Sequence, residues 1–352
     1  MKRKTISLAF LFLLAIGIGY LKANKFVNLD AREAALFSSQ ATIATKEIKI
    51  PGFPNAYNPS IIPFEDGYLL SFRVNCHDPI TFIKKLWNHR TSFFGVVQLD
   101  KHFNPIEKAQ LIDVHTCDEK KLSAPQDARL FFTDEIIYVI FNDYAKPIAQ
   151  SQELFIGRLR KENGFFRFAT APKQLHYEES VQKIEKNWSP FAYENKLYVS
   201  YSVVPHTILE VNSQTGMTNK IDSTEPTIDW NFGPVRGGTP SLLLEEGYLS
   251  FFHSCKLGVP SPFSKKNGRV YYMGAYFFDS KPPFAIKKIT PMPLANLSDY
   301  KQKNPKKIVY PGGIALDGEK LHVVWGRNDS SICVSTFDKA KLLATMVDCE
   351  VP

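Results

Sequence analysis

The sequence predicts an all-β fold, a five-bladed β-propeller preceded by an N-terminal hydrophobic anchor helix. Three observations predict it: one hairpin pattern written five times, turn residues spread along the whole chain, and a single apolar run near the amino terminus. The pattern is clearest in residues 123–143, SAPQDARLFFTDEIIYVIFND. Polar residues (Gln126, Asp127, Arg129) lead into a short apolar strand, an acidic turn follows at 133–135, and a β-branched and aromatic strand ends in Asn142 and Asp143.

The other copies span 56–73, 186–202, 236–254 and 310–329, with turns at Asp66-Gly67, Glu194-Asn195, Glu246-Gly247 and Asp317-Gly318. A single hairpin cannot bury both faces of its sheet. Repeated copies at irregular spacing therefore point to blades closed into a ring, with loops of different length between them.

In chain order, Lys2, Arg3 and Lys4 precede an apolar run over 6–21, and Lys22 and Lys25 follow it. The run is long for a signal-peptide core, and cleavage after Ala23 would put Leu21 where a small residue is needed. The expectation is an uncleaved single-pass signal anchor over 1–22, with the propeller on the non-cytoplasmic side of the membrane. The alternative is a secreted or periplasmic protein after signal cleavage. Residues 23–50 read as a stem, helical over 30–37 and ending in a strand at 44–50, and residues 51–352 read as the propeller. Outer strands are expected at 87–90 and 93–99, with the insertion 76–85 over one face. A hairpin over 154–168 closes at Glu162-Asn163-Gly164, and strands at 270–278 and 284–289 complete a blade. Tail strands at 332–337 and 342–347 share a blade with the first strand and fasten the ring.

Hydrophobic residues at 44% suffice for a core, and 23 prolines with 19 glycines mark turns rather than disorder. The net charge is +8, but lysines and arginines are scattered apart from Lys301, Lys303, Lys306 and Lys307. That is no nucleic-acid footprint, whereas an anionic substrate or membrane surface fits. Of five cysteines, Cys76 with Cys117 or Cys333 with Cys349 could pair in an oxidising compartment. No cysteine or histidine spacing assigns a metal, and no cofactor is expected.

Propeller geometry gathers the mouths of the inner strands around one funnel. Asn58, Arg73, Asp127, Arg129, Lys186, Asn187, Arg236, Thr239, His253 and Asp329 are therefore expected to meet there. One well-placed carboxylate amid cations and neutral donors suits a polyhydroxylated ligand that carries phosphate or leaves an oxyanion. Plainer readings stand beside these: Asp127 as a turn cap, Arg129 as an ion-pair partner, His253 as a core histidine, and Trp188, Trp230 and Trp325 as core rather than sugar platforms.

Five short motifs carry a resemblance: Asn58-Pro59, Gln126-Asp127-Ala128-Arg129, Lys186-Asn187-Trp188, Phe252-His253 and Gly326-Arg327-Asn328-Asp329. In this order over residues 50–340, the chain resembles the five-bladed propellers of glycoside hydrolase family 130, the β-mannoside phosphorylases, and their β-mannosyltransferase relatives. The resemblance implies Asp127 as general acid and Arg129 as the arginine of the same motif. It also implies Lys186 and His253 on phosphate or the leaving group, and Asn58 and Asp329 on sugar hydroxyls. Gln126 and Ala128 replace the glutamate and proline of the family motif. Arg327-Asn328 stands where the family carries small residues, which would narrow or recharge the subsite.

An inverting hydrolase needs a second carboxylate to activate water, whereas a phosphorylase or transferase needs only one proton-transfer group. Asp329, Asp143 and Asp229 are weaker candidates for a second. The sequence thus favours a membrane-anchored enzyme that transfers a glycosyl, expected mannosyl, group to or from an oligosaccharide. Its partners would be an oligosaccharide or glycolipid acceptor and phosphate, a sugar phosphate or a sugar nucleotide. The alternatives are an inverting β-mannoside phosphorylase or glycosidase, or a non-catalytic glycan-binding propeller.

Overall fold

The structure, a computed structural model, describes residues 40–75, 92–114, 124–146, 151–180, 184–257, 269–294 and 308–350. The expected anchor over 6–21, the helical part of the stem, the insertion at 76–85, the strand at 87–90, and Cys76 with Cys117 lie outside these residues. Among the described residues no helix is long and apolar enough to cross a membrane.

The described residues form five antiparallel sheets, each one blade of a propeller. The chain starts with β1 (Thr42–Ile48), then builds the first blade from β2 (Tyr57–Phe64), β3 (Gly67–Asn75), β4 (Ser92–Leu99) and β5 (Gln110–Leu111). The second blade holds β6 (Gln126–Thr133), β7 (Ile136–Lys146), β8 (Ser151–Glu162), β9 (Phe165–Phe168) and β10 (Lys173–Gln174). The third is β11 (Ser189–Tyr193), β12 (Lys196–Ser202), β13 (His206–Val211) and β14 (Thr218–Thr224). The fourth holds β15 (Val235–Gly237) and β16 (Leu242–Leu244), both on β17 (Gly247–Leu257), followed by β18 (Arg269–Asp279) and β19 (Ile286–Ile289). The fifth is β20 (Val309–Asp317), β21 (Lys320–Arg327) and β22 (Ser331–Asp338).

β1 completes the fifth blade from outside, pairing with β22 from Thr42↔Phe337 to Ile48↔Ile332. The strand read at the end of the stem is thus part of the ring, and the first and last strands close it together. The second tail strand expected at 342–347 is instead a short helix, α1 (Lys339–Thr345). Asp338 caps it by accepting from the Lys341 backbone N–H at 2.9 Å, and Lys-Ala-Lys-Leu-Leu-Ala favours helix over strand. The following β23 (Val347–Asp348) pairs with β19 of the fourth blade.

Each hydrophobic cluster is a seam between neighbouring blades. Phe94, Leu130 and Val139 join the first blade to the second, Ile140 and Val199 the second to the third, and Phe191 and Phe278 the third to the fourth. Phe251 and Val323 join the fourth to the fifth, and Ile61 and Val324 close the ring. Burial of side chains of this size is worth about 1.5–3 kcal/mol each, so five seams fix the blades around one axis. Cys333 lies buried in the fifth blade and Cys349 packs against the fourth, and no disulfide joins them.

Candidate active site

All inner strands begin on one face of the ring, hereafter the funnel face; their hairpin turns lie on the opposite face, the base. Local backbone geometry aims the site. β2 and β6 each shift register at the mouth, between Tyr57 and Ser60 and between Gln126 and Arg129. The residues at these irregularities, Asn58 (φ 46°) and Asp127 (φ 53°), are left-handed, as is Asn187 (φ 67°) just before β11. Left-handed backbone costs an L-residue about 1–2 kcal/mol, and asparagine and aspartate bear it best. Three successive blades thus use the same device to turn a short polar side chain at the mouth.

Asp127 is the centre of the cluster. Its Oδ1 accepts from Asn58 Nδ2 at 2.8 Å and from Arg73 Nη1 at 3.1 Å. Burial pushes its carboxyl up, but Arg73, the Asn58 hydrogen bond and Arg129 outweigh burial and hold it below the usual carboxylate range. Asp127 is therefore a carboxylate at neutral pH. Arg73 stacks over Tyr57, 5.2 Å from the ring centroid. Asp329, half-buried and left-handed at φ 53°, acts electrostatically on both Arg73 and Tyr57, which brings it to the same cluster from the fifth blade.

Arg129 is placed otherwise than a ligand contact. Its side chain is 1% exposed, with Nε donating to Gly238 O at 2.5 Å and Nη2 donating to Tyr310 OH and to Asn187 Oδ1 at 3.5 Å. One guanidinium from the second blade thus holds the mouths of the third, fourth and fifth.

Within electrostatic reach of Asp127 stand Lys186, Arg236 and His253, with Arg269 beside Lys186. Arg236 and His253 are cross-strand partners on β15 and β17. Lys186 is exposed at the mouth of the third blade, yet desolvation, Arg236 and Arg269 together outweigh Asp127 and lower its ammonium pKa. His253 is neutral: burial first, then Arg129, Arg236 and Lys186, push it down to about 3. Its ring lies 5.0 Å from that of Tyr310 and stacks 6.1 Å from Tyr271. Arg269 and Tyr310 were not singled out in the sequence. The first residue of a blade's third strand also reaches the funnel face, and that is the one signal that could have found Arg269.

Other expectations move. Thr239 is fully buried and bonds the Phe251 N–H, so it braces β17 rather than lining the funnel. Trp188 and Trp325 are core residues, their indole N–H groups bonded to Glu185 and Ser335, and Trp230 packs on Phe252. Arg327 pairs with Glu47 of β1 and bonds Ser331 at 3.1 Å, which ties it to the outer strands instead of the subsite. Asn328 clamps Ile308 through its Oδ1 at 3.0 Å. Asp143 accepts from the Ala124 N–H at 2.7 Å, and exposed Asp229 bonds Asn231. Among the described residues, the buried polar atoms at funnel-face strand ends without a hydrogen-bond partner include Asn58 Oδ1, Arg73 Nε, Gln126 Nε2, Asn142 Oδ1, Ser189 Oγ and His253 Nδ1. Such a concentration is what a hydroxyl-rich ligand would satisfy.

Solved structures share this architecture. A β-1,2-mannobiose phosphorylase from Listeria innocua aligns with TM-score 0.54 at 16% identity, over 87% of this chain and 96% of that one. A mannose phosphorylase from Leishmania mexicana, in complex with phosphate ion, aligns with TM-score 0.55 at 12% identity, over 91% and 95%. A structure from the GH130 family of mannoside phosphorylases, which contains hydrolases that target β-1,2 mannosidic linkages in Candida mannan, aligns with TM-score 0.56 at 14% identity, over 80% and 84%. The likeness is one of fold. It matches the five-bladed ring expected from the repeats. No family model matches the chain, and no curated protein matches it in sequence.

Proposed function

We propose that the protein transfers a mannosyl group between phosphate and a sugar hydroxyl, with Asp127 as its single proton-transfer group. The observation that carries this reading is the charge pattern at the funnel mouth: one ionised, doubly hydrogen-bonded carboxylate stands near the cations Lys186, Arg236 and Arg269, with neutral His253 among them. The mannosyl assignment is supported by the shared fold with mannoside phosphorylases.

In the synthetic direction the carboxylate of Asp127 takes the proton of the acceptor hydroxyl. The acceptor oxygen bonds to C1 of mannose 1-phosphate, the C1–O bond to phosphate breaks, and phosphate leaves into the cations. The reverse direction needs Asp127 protonated. An entering phosphate favours that change, because its negative charge raises the neighbouring carboxyl. The apolar run 6–21 anchors the enzyme in the membrane in this reading, with the propeller outside the cytosol.

The test is turnover with mannose 1-phosphate plus mannose, with GDP-mannose plus mannose, and with β-mannobiose with and without phosphate. Product from the sugar phosphate and phosphate-dependent cleavage of mannobiose are expected. Phosphate-independent release of mannose would replace this reading with hydrolysis, and Asp329 would then be the second carboxylate to examine.

A further inference from the structure

We infer that Asn58, Arg73 and Tyr57 form a brace that holds Asp127 by Oδ1 and leaves Oδ2 as the oxygen that takes and returns the proton. This rests on the transferase reading and names the working atom of its site and the residues that position it.

Hydrogen bonding divides the two oxygens. Asn58 Nδ2 and Arg73 Nη1 both donate to Oδ1, at 2.8 Å and 3.1 Å, and among the described residues no hydrogen bond or ion pair reaches Oδ2. Oδ2 is the carboxyl oxygen open to the funnel, the side chain being 15% exposed. Both lone-pair directions of Oδ1 are in use, so a proton there would displace a donor, whereas a proton on Oδ2 displaces none. In the synthetic step the acceptor's hydroxyl proton passes to Oδ2 as the acceptor oxygen bonds to C1 and phosphate leaves.

Each arm of the brace is itself held. Tyr57 and Arg73 are cross-strand partners on β2 and β3, with the guanidinium over the ring, and Tyr57 OH donates to Asn75 Oδ1 at 3.1 Å. Stacking keeps the planar fork aimed at Asp127, which a point charge on a flexible stem would not do. Asn58 is seated by the fifth blade. A Cβ on Gly326 would stand 2.2 Å from Asn58 Oδ1 and 2.8 Å from its backbone N, so glycine at 326 leaves Asn58 where its Nδ2 meets Asp127. Arg129 and Lys186 act on Asp127 through charge without a hydrogen bond, so they tune the carboxyl but do not orient it. Asn58 and Arg73, expected from the sequence on the substrate, thus act through Asp127 as positioning residues.

The experiment measures turnover of mannose 1-phosphate with mannose, and calorimetric binding of mannose and of phosphate, in the full chain and in its Asn58→Gly, Tyr57→Leu and Gly326→Ala variants. Asn58→Gly removes one arm without straining the left-handed backbone, and Gly326→Ala crowds that arm without deleting a polar group. Each variant should lower kcat about tenfold or more, with KM and both affinities within about twofold of wild type. A crystal structure with mannose and phosphate bound should place a sugar hydroxyl on Oδ2. A loss of affinity in Asn58→Gly at unchanged kcat would make Asn58 a substrate contact and overturn the inference. Unchanged kcat in both Asn58→Gly and Gly326→Ala, or a sugar hydroxyl on Oδ1, would overturn it equally. Binding and the crystal structure need no turnover: a sugar hydroxyl on Oδ2 and unchanged affinities, with no transfer by the wild type, would uphold the brace and sink only the transferase reading. A wild type that binds neither mannose nor phosphate would sink both.

Discussion

The residues of the funnel are set by opposition of charge, and two titrations expose it. Replacing Arg73 by Met removes the first cation that lowers Asp127, so the acidic limb of the pH–rate profile should move upward by about one pH unit or more. An unmoved limb would mean that Asp127 is not the group titrating. His253 and His206 are neutral in the fold, pushed down to about 3 and about 4 by burial, and His322 is lowered as well. Unfolded histidine titrates near 6.5, so between about 6.5 and 4 the unfolded chain takes up protons that the fold refuses. Stability should therefore be complete above pH 6.5 and fall below it, with a slope approaching about 1.4 kcal/mol per pH unit for each buried histidine. The lowered carboxyl of Asp127 adds to this loss only below its ordinary value near 3.9. Urea unfolding at pH 7 and pH 5 checks the sign, and His253→Gln should flatten the slope by one share.

At the scale of elements, the hairpins were legible and their long-range partners were not. Alternating apolar residues around Asp-Gly and Glu-Gly turns are local signals, and each inner hairpin stands where its turn placed it. The mouth positions Asn58, Asp127 and Asn187 were legible because a short polar residue recurs at one place in the repeat. The task of Arg129 was not, since its acceptors lie 58 to 181 residues away. Sequence cannot show a charge closing gaps between blades. Arg129→Met should leave Gly238 O and Tyr310 OH short of a donor inside the ring and cost about 2–4 kcal/mol in denaturant unfolding. A loss within experimental error would remove its role as a strut. The helix α1 was misread as strand because its seven residues are too few to show a period, although the Asp338 cap was in plain view. Close packing at the mouth is equally specific: a Cβ on Gly237 would stand 2.1 Å from Asn187 O, so Gly237→Ala should displace Asn187 and Lys186 and weaken phosphate binding measured by calorimetry.

For the whole molecule, ring closure and proton economy are the two global properties. Closure depends on β1, whose Ile48 packs with Ile332 and Val334 in the seam between the fifth and first blades. Ile48→Asp should destabilise the whole ring in thermal unfolding rather than one blade, since the seam it breaks is the one holding both ends together. The central claim is that one carboxylate and the cations around it suffice for mannosyl transfer from phosphate. The most direct measurement follows phosphate release from mannose 1-phosphate with a mannose acceptor, comparing wild type, Asp127→Asn and a no-acceptor control. The account predicts one phosphate per disaccharide, no release without acceptor, and a rate lower by about 10²–10⁴ in Asp127→Asn with phosphate binding retained. Undiminished turnover in Asp127→Asn, or phosphate released without a disaccharide, would contradict it.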